Sequence, residues 1–480
     1  MHEDMSRFRI ALAATIALAV SACSGTGATQ SPAPETTAPS AAPTQATTEP
    51  ADPAPTAEPT SAEIPDTPVG EAARWVLDTL AADSGPTAEE AEERFGEEFL
   101  SQVPADQVSR VFDQLRGEGP FTLVSWNGTE TQGTAELESD GTPVMMMLAV
   151  KEGRIDGLMF VPNEKAPEFA TPAEASQALL AEAPTSSFLL ADVTRGADVP
   201  ECTPVENRDA DVVRPIASMF KLYVLGAVVT AIDAGDLAWD QELTLTEELK
   251  SLPTGDLRNQ PAGTKVTVQD AATRMIANSD NTATDLLIDA LGRDAVEAEL
   301  TTMKHHAPEL NKPFLTTREA FQIAADEGLR AQWAEASKGY DDASPEVTAA
   351  QRAILEDLPA WDLSYEEATM ADPFWDEGVD WYATAEDLCR AHVDLQSRLS
   401  TEAGAPVRAI MGEYPGIQAE GASYVGFKGG STPGALGLSF YVEGPEKIRV
   451  LVLQTVGESP EQIPQPSWLA SFAENTLAAG

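Results

Sequence analysis

Ser218-Met219-Phe220-Lys221 sets a hydroxyl and an amine three residues apart, at the head of an apolar stretch, 221–234, that reads as a helix. That spacing puts both side chains on one helical face, a turn apart. A serine hydroxyl becomes a useful nucleophile only when a base takes its proton. A lysine can be that base if burial depresses its ammonium pKa. The helix N-terminus adds backbone N–H groups that can face a developing oxyanion. The S-x-x-K pattern alone is common, and Ser218 could equally cap the helix.

Two further elements narrow the chemistry. Ser279-Asp280-Asn281 sits between apolar flanks at 275–287, about sixty residues on, and Lys428-Gly429-Gly430-Ser431-Thr432 ends a strand-like run near the C-terminus. Taken in order, the three resemble the signature set of class A β-lactamases and penicillin-binding proteins. The resemblance spans most of 173–480 and takes in Arg214-Pro215-Ile216-Ala217 and Gly263-Thr264-Lys265-Val266-Thr267-Val268.

The resemblance implies roles residue by residue. Ser218 attacks an acyl carbonyl, and Lys221 is base or proton relay. Ser279 shuttles a proton to the leaving group, Asp280 is structural, and Asn281 binds a substrate amide. Lys428 holds positive charge beside Ser279 and the substrate carboxylate. Gly430, Ser431 and Thr432 line the substrate, with the backbone N–H groups of Ser218 and Ser431 as the oxyanion hole. The implied fold is α+β, a β-lactamase/transpeptidase-like domain of antiparallel sheet plus helices.

The family pattern breaks twice. Ala307-Pro308-Glu309-Leu310-Asn311 resembles the omega-loop segment, but alanine stands where the family carries the glutamate that activates the deacylating water. His305, His306 or Glu309 would have to substitute. Gly429 replaces the hydroxyl residue that binds a β-lactam carboxylate, so turnover of penicillins is expected to be poor. Ser431 or Thr432 would have to supply that hydroxyl from a shifted position.

These residues need elements to hold them. A strand at 187–193, an all-helical middle, strands at 424–428, 435–442 and 448–455, and a closing helix at 468–478 imply an antiparallel sheet assembled from distant segments and packed on helices. Ahead of this lies a smaller domain, 66–163. Helical spacing at Ala73, Val76, Leu77 and Leu80 and helix starts at Pro86-Thr87 and Pro104-Ala105 give way to four strand-like runs, with Asn127-Gly128, Asp140-Gly141 and Glu152-Gly153 as turns. Helices followed by a meander suggest a small α+β cone of the NTF2-like (ketosteroid-isomerase-like) type. No acid/base set stands out in it, which favours a non-catalytic role. Residues 164–172 read as a linker. The two-domain order, with Leu315-Thr316-Thr317-Arg318-Glu319-Ala320-Phe321 and 380–389, is similar to a β-lactamase-like branch found in clavulanic-acid gene clusters. That likeness implies weak esterase or β-lactam-recognising chemistry.

The N-terminus reads as a processing signal. Arg7 and Arg9 precede an apolar run, 10–20, too short for the ~20 residues of a membrane span. It ends in Val20-Ser21-Ala22-Cys23, which resembles a lipobox. That implies a signal peptide at 1–22, a lipid on Cys23, and export to the outer face of the cell membrane. Residues 23–65 are rich in Pro, Thr and Ala and read as a disordered tether. No other segment looks long and apolar enough to span a bilayer, so the lipid is the expected anchor.

With 78 acidic and 30 basic residues the net charge is −48, which argues against nucleic-acid binding. Four histidines and two further cysteines, Cys202 and Cys389, show no metal-site spacing, and no metal or organic cofactor is implied. A disulfide between the two cysteines is permitted but left open. The expected partner is a small-molecule or peptidoglycan-derived substrate, and the chain is expected to be a monomer. Three functions stand at this point: an acyl-enzyme hydrolase, a D,D-peptidase-like cell-wall enzyme, or a non-hydrolysing binding scaffold.

Overall fold

The computed structural model describes residues 63–194, 200–337, 344–361 and 372–479. The signal segment, Cys23 and nearly all of the tether lie outside the described residues. The chain divides into two compact units, between Asn163 and Glu164.

In the first unit, Thr67 caps helix α1 (Pro68–Ala81), accepting the Gly70 N–H, with Pro68 at the first helical position. Val69, Ala73, Val76 and Leu80 form its buried stripe. Three short helices follow: α2 (Ala88–Arg94), α3 (Glu97–Gln102) and α4 (Ala105–Gly117). Thr87 and Glu90 close a capping box on α2. The chain then makes a four-stranded antiparallel meander, β1 (Phe121–Gly128), β2 (Gln132–Ser139), β3 (Thr142–Lys151) and β4 (Arg154–Pro162). Two of the expected turns are tight hairpins, with positive φ at Asp140, Gly141, Glu152 and Gly153. Asn127-Gly128 is not a turn. It stays in β1, where Gly128 pairs with Gly133, and the chain reverses after it. The strands bury Trp126, Ala135, Leu137, Val144, Met146 and Leu148 with the apolar faces of α1 and α4.

The second unit is built on a five-stranded antiparallel sheet. Its order is β11 (Tyr424–Thr432), β12 (Ala435–Glu443), β13 (Ile448–Val456), β5 (Ser186–Val193), β6 (Cys202–Arg208). Alternation sends Phe188, Leu190, Phe440, Leu451 and Leu453 to one face, against α5 (Pro172–Glu182) and the closing helix at Pro466–Ala478. Leu189, Ala191, Tyr441, Val450 and Val452 point the other way, into the larger helical core. Two two-stranded pairs complete the β-structure: β7 (Arg214–Pro215) with β10 (Tyr382–Ala383), and β8 (Glu242–Thr244) with β9 (Lys265–Thr267).

Helix α6 (Lys221–Ala234) is apolar on every side and runs through that core, with Lys221 to Val229 all buried. By length and hydropathy Ala217–Ala234 meets the measure of a membrane span, which corrects the expectation that no such segment follows residue 20. Its 67 % burial marks it as the central helix of a packed unit. The remaining helices are α7 (Val268–Ala277), α8 (Asn281–Leu291), α9 (Arg293–Thr302), α10 (Thr317–Ala325), α11 (Glu327–Ser337), α12 (Pro345–Glu356), α13 (Ala385–Ser397), α14 (Val407–Gly412) and α15 (Pro466–Ala478).

Cys202 and Cys389 form a disulfide that ties the edge strand β6 to α13 across a sequence separation of 187. A crosslink over so long a loop restricts the unfolded chain strongly. Replacing both cysteines by serine is expected to cost about 2–5 kcal/mol, read as a lower urea midpoint. An unchanged midpoint would contradict this.

Candidate active site

The nucleophile turn is anchored before it begins. Arg214 donates to Ser187 Oγ (2.7 Å) and to the Ser186 carbonyl (2.9 Å), and Pro215 pairs with Tyr382. Ile216 N–H donates to the Trp381 carbonyl at 2.8 Å. Ala217 then takes φ +43°, a left-handed conformation that side-chain-bearing residues seldom adopt. A 3₁₀ turn, Ala217–Phe220, leads into α6. In 3₁₀ geometry residues i and i+3 eclipse, which sets Ser218 and Lys221 side by side. Ser218 is half-buried and Lys221 is 0 % exposed.

Lys221 Nζ sits in a cage of oxygens. It donates to the Ser279 carbonyl (2.7 Å), to Ser279 Oγ (3.0 Å) and to Asn281 Oδ1 (2.6 Å). Burial pushes its pKa well below the ordinary lysine value, and the charge of Lys428 pushes it further; Asp280 and Asp285 oppose both. The cage exists because the chain breaks between α7 and α8. Ser279 adopts φ +53°, which turns its carbonyl toward Lys221. Asp280 caps α8, accepting the Ala283 N–H (2.8 Å) and the Leu257 N–H (3.0 Å). Gly255 passes so close that any Cβ there would lie 2.1 Å from the Asp280 carboxyl carbon. Asn281 is 2 % exposed, with Nδ2 donating to the Leu252 carbonyl at 2.6 Å. One amide hydrogen is left for any substrate. Behind it Asp285, raised by burial to about 7, accepts the Thr317 and Arg318 N–H groups and fixes the start of α10.

Strand β11 closes the other side. Lys428 Nζ donates to Ser279 Oγ (3.2 Å) and to the Gly429 carbonyl (2.7 Å), so the Ser279 hydroxyl lies between two amines. Burial lowers Lys428 to about 7. Gly430 is required by space: a Cβ there would lie 2.4 Å from the Ile216 carbonyl oxygen and 2.8 Å from Ser218 N. The two-residue turn after Thr432 makes Thr432–Ala435 the hydrogen-bonded pair. Alternation therefore aims the Ser431 N–H off the free edge of β11, and Ser431 is exposed. Thr432, expected at the substrate, is turned inward: it is buried and donates its hydroxyl to Asp380 Oδ2 at 3.0 Å. Gly429 is crowded by Phe427, whose Cζ would lie 2.9 Å from a Cβ there.

The omega-like segment is a 3₁₀ turn, Pro308–Asn311. Asn311 pairs with the Tyr382 backbone, accepting its N–H (2.8 Å) and donating to its carbonyl (2.9 Å). His305 Nε2 reaches the same carbonyl at 2.9 Å, and its Nδ1 accepts the Ala307 N–H at 3.1 Å. His306 bonds Asp387, whose carboxyl is pushed up by burial but pulled well below the usual range by His305, Thr384, Arg390 and His306. Donor atoms of His305, His306 and Asp387 lie within 4.8 Å of one another, a grouping that sequence spacing concealed. They bond one another and the backbone, and Arg390 holds Asp387 Oδ1 at 2.5 Å, a poor setting for a cation. His305 has both ring nitrogens engaged, so it is not free to serve as a base, whereas exposed His306 engages only Nδ1.

Two buried groups had no sequence signal. Asp380 accepts from Ala217, Trp381 and Thr432. His392 Nε2 meets Ser439 Oγ at 3.0 Å, which in turn donates to the Lys428 carbonyl at 2.8 Å.

Residues 173–351 match the model of the β-lactamase enzyme family. Ser218, Lys221, Ser279-Asp280-Asn281 and Ala307 fall inside the matched residues, and Lys428 lies beyond them. Residues 64–155 match a family described as ORF 12 gene product N-terminal. No curated protein matches the chain. Similar solved structures include a β-lactamase from Sphaerobacter thermophilus, 19 % identical, covering 64 % of this chain and 97 % of that one, TM-score 0.44. PBP-A is 16 % identical over 66 % and 98 %, TM-score 0.44. A variant of the reconstructed last common ancestor of Gram-negative class A β-lactamases is 16 % identical over 64 % and 94 %, TM-score 0.42.

Proposed function

We propose that the chain is an exported lipoprotein serine hydrolase that forms an acyl-enzyme at Ser218 with a β-lactam, ester or amide, and releases it slowly. The observation that carries this reading is the lysine cage. A fully buried amine with a depressed pKa lies one turn on from Ser218, and the Ser279 hydroxyl connects it to a second amine. Groups shifted in this way by burial and a nearby like charge cluster at functional sites.

In this mechanism neutral Lys221 takes the Ser218 proton as Oγ bonds the acyl carbon. The N–H groups of Ser218 and Ser431 receive the oxyanion. Collapse expels the leaving nitrogen or oxygen, which takes a proton through Ser279 from Lys221. The acyl group stays on Ser218 until water removes it, and residue 307 offers no base for that step. Lipid on Cys23 is the membrane contact in this reading, and the first unit is an NTF2-like spacer without catalytic residues. The substrate is a small molecule or a peptidoglycan fragment, and the chain acts as a monomer.

The pH profile of acylation tests the cage. Lys221 works without its proton, so the rate climbs as pH rises through its depressed pKa. Lys428 works as a cation, so the rate falls as pH passes about 7. Lys428→Met is expected to flatten the falling limb at a lower rate. A wild-type rate that climbs steadily beyond that pH would contradict the role of Lys428.

A second reading is a non-hydrolysing binding scaffold. Ala307, which lacks the deacylating carboxylate, favours it, as does Gly429, which carries no hydroxyl for a substrate carboxylate. A D,D-peptidase-like enzyme is the third, separated from the first by turnover of cell-wall peptides.

A further inference from the structure

Asp380 bridges two segments that are far apart in sequence. It is 5 % exposed. Oδ1 accepts the N–H of Ala217 (2.8 Å) and of Trp381 (2.7 Å), and Oδ2 accepts the Thr432 hydroxyl (3.0 Å). Ala217 is the residue before the nucleophile and Thr432 is the residue after Ser431. We propose that Asp380 is a positioning residue that sets the spacing between the Ser218 and Ser431 N–H groups, the two donors that receive the oxyanion.

The inference rests on the acyl-enzyme reading above and adds a residue that reading does not use. Three features fit the role. Ala217 holds φ +43°, a strained conformation for a non-glycine, and the Asp380 bond to its N–H offsets that strain. Gly430 brings β11 to the Ser218 backbone at a distance no side chain would allow, so a small shift of either segment changes the gap between the donors. The carboxylate is held in place although burial raises it to about 6. Oxyanion donors are effective only when fixed where the charge develops. One rigid carboxylate bridging both segments fixes them together. Trp381 locks the carboxylate from behind, since its carbonyl accepts the Ile216 N–H.

The test uses the full chain with Asp380→Ala, Asp380→Asn and Thr432→Val, each checked for an unchanged thermal midpoint. Two readouts are followed: acylation by a chromogenic cephalosporin, and affinity for a boronic acid that forms a tetrahedral adduct on Ser218. Asp380→Ala is expected to lose roughly 10²-fold in both, the scale of losing an oxyanion donor. Thr432→Val cuts only the strand arm and loses less. Asp380→Asn restores most of the loss, because its carbonyl still accepts both N–H groups and its amide can donate to Thr432. The double variant Asp380→Ala/Thr432→Val is expected to be no worse than Asp380→Ala alone. Wild-type acylation and boronate affinity in both Asp380→Ala and Thr432→Val would overturn the proposal.

Thr432→Val keeps the test alive if Asp380→Ala fails to fold. Amide exchange in residues 213–220 and 425–432 gives an arm that needs no activity. Faster exchange of both segments in Thr432→Val supports the clamp, and unchanged exchange overturns it. A wild-type protein that never acylates, yet shows this linked exchange, would refute the acyl-enzyme reading while leaving the clamp standing.

Discussion

Lys221→Met is expected to slow acylation of Ser218 by roughly 10²–10⁴-fold, the usual contribution of a general base. The fold should survive the change. Methionine keeps the length and apolar stem of the side chain, and removing a buried ammonium relieves its desolvation cost. Against this, the Ser279 carbonyl and Asn281 Oδ1 lose a donor they now share at 2.7 and 2.6 Å, each worth about 1–3 kcal/mol. These terms oppose, so stability moves little while the rate collapses. Stopped-flow acylation together with a urea melt separates the two. A variant that acylates at a wild-type rate would remove Lys221 from the mechanism. Ser279→Ala is a milder companion, since it breaks the hydroxyl between the two amines and leaves both amines in place.

Ala307→Glu is expected to shorten the lifetime of the acyl-enzyme, by up to about 10²–10⁴-fold if the carboxylate acts as base on water. The segment is tied to the nucleophile turn. His305 and Asn311 pin it to the Tyr382 backbone, and Tyr382 pairs with Pro215, three residues ahead of Ser218. Ala307 is half-buried and its N–H is already fixed by His305 Nδ1. These contacts fix the backbone at residue 307 relative to the nucleophile turn. Adduct decay after removal of free drug measures the effect. A lifetime equal to that of wild type would mean that slow release has another cause, with Gly429 the next position to change.

The site was legible in the sequence where its chemistry is local. Ser218 and Lys221 are three residues apart, and Ser279 to Asn281 are contiguous, so type and spacing exposed them. Asp380 was not legible. Its partners lie 163 and 52 residues away, and only the fold brings them together. Thr432 misled for the same reason: strand alternation sends its hydroxyl inward to Asp380, and motif proximity alone does not reveal that. In the first unit, Asp140-Gly141 and Glu152-Gly153 form turns because both residues of each take positive φ, whereas Asn127-Gly128 has the same look but is paired into β1. The sheet of the second unit followed from strands at both ends of the unit. Edge strand β6 escaped because four of its seven positions are exposed, none is buried, and it lacks an apolar alternation. The disulfide needed the distance between β6 and α13, which no spacing contains.

The most direct measurement is a time course of intact mass for the protein mixed with a penicillin and with a cephalosporin, beside Ser218→Ala. Expected is an adduct of the mass of the drug that forms on the wild-type chain, persists after free drug is removed, and is absent from the variant. No adduct with either drug or with a simple activated ester, or an adduct that Ser218→Ala also acquires, would contradict an acyl-enzyme at Ser218.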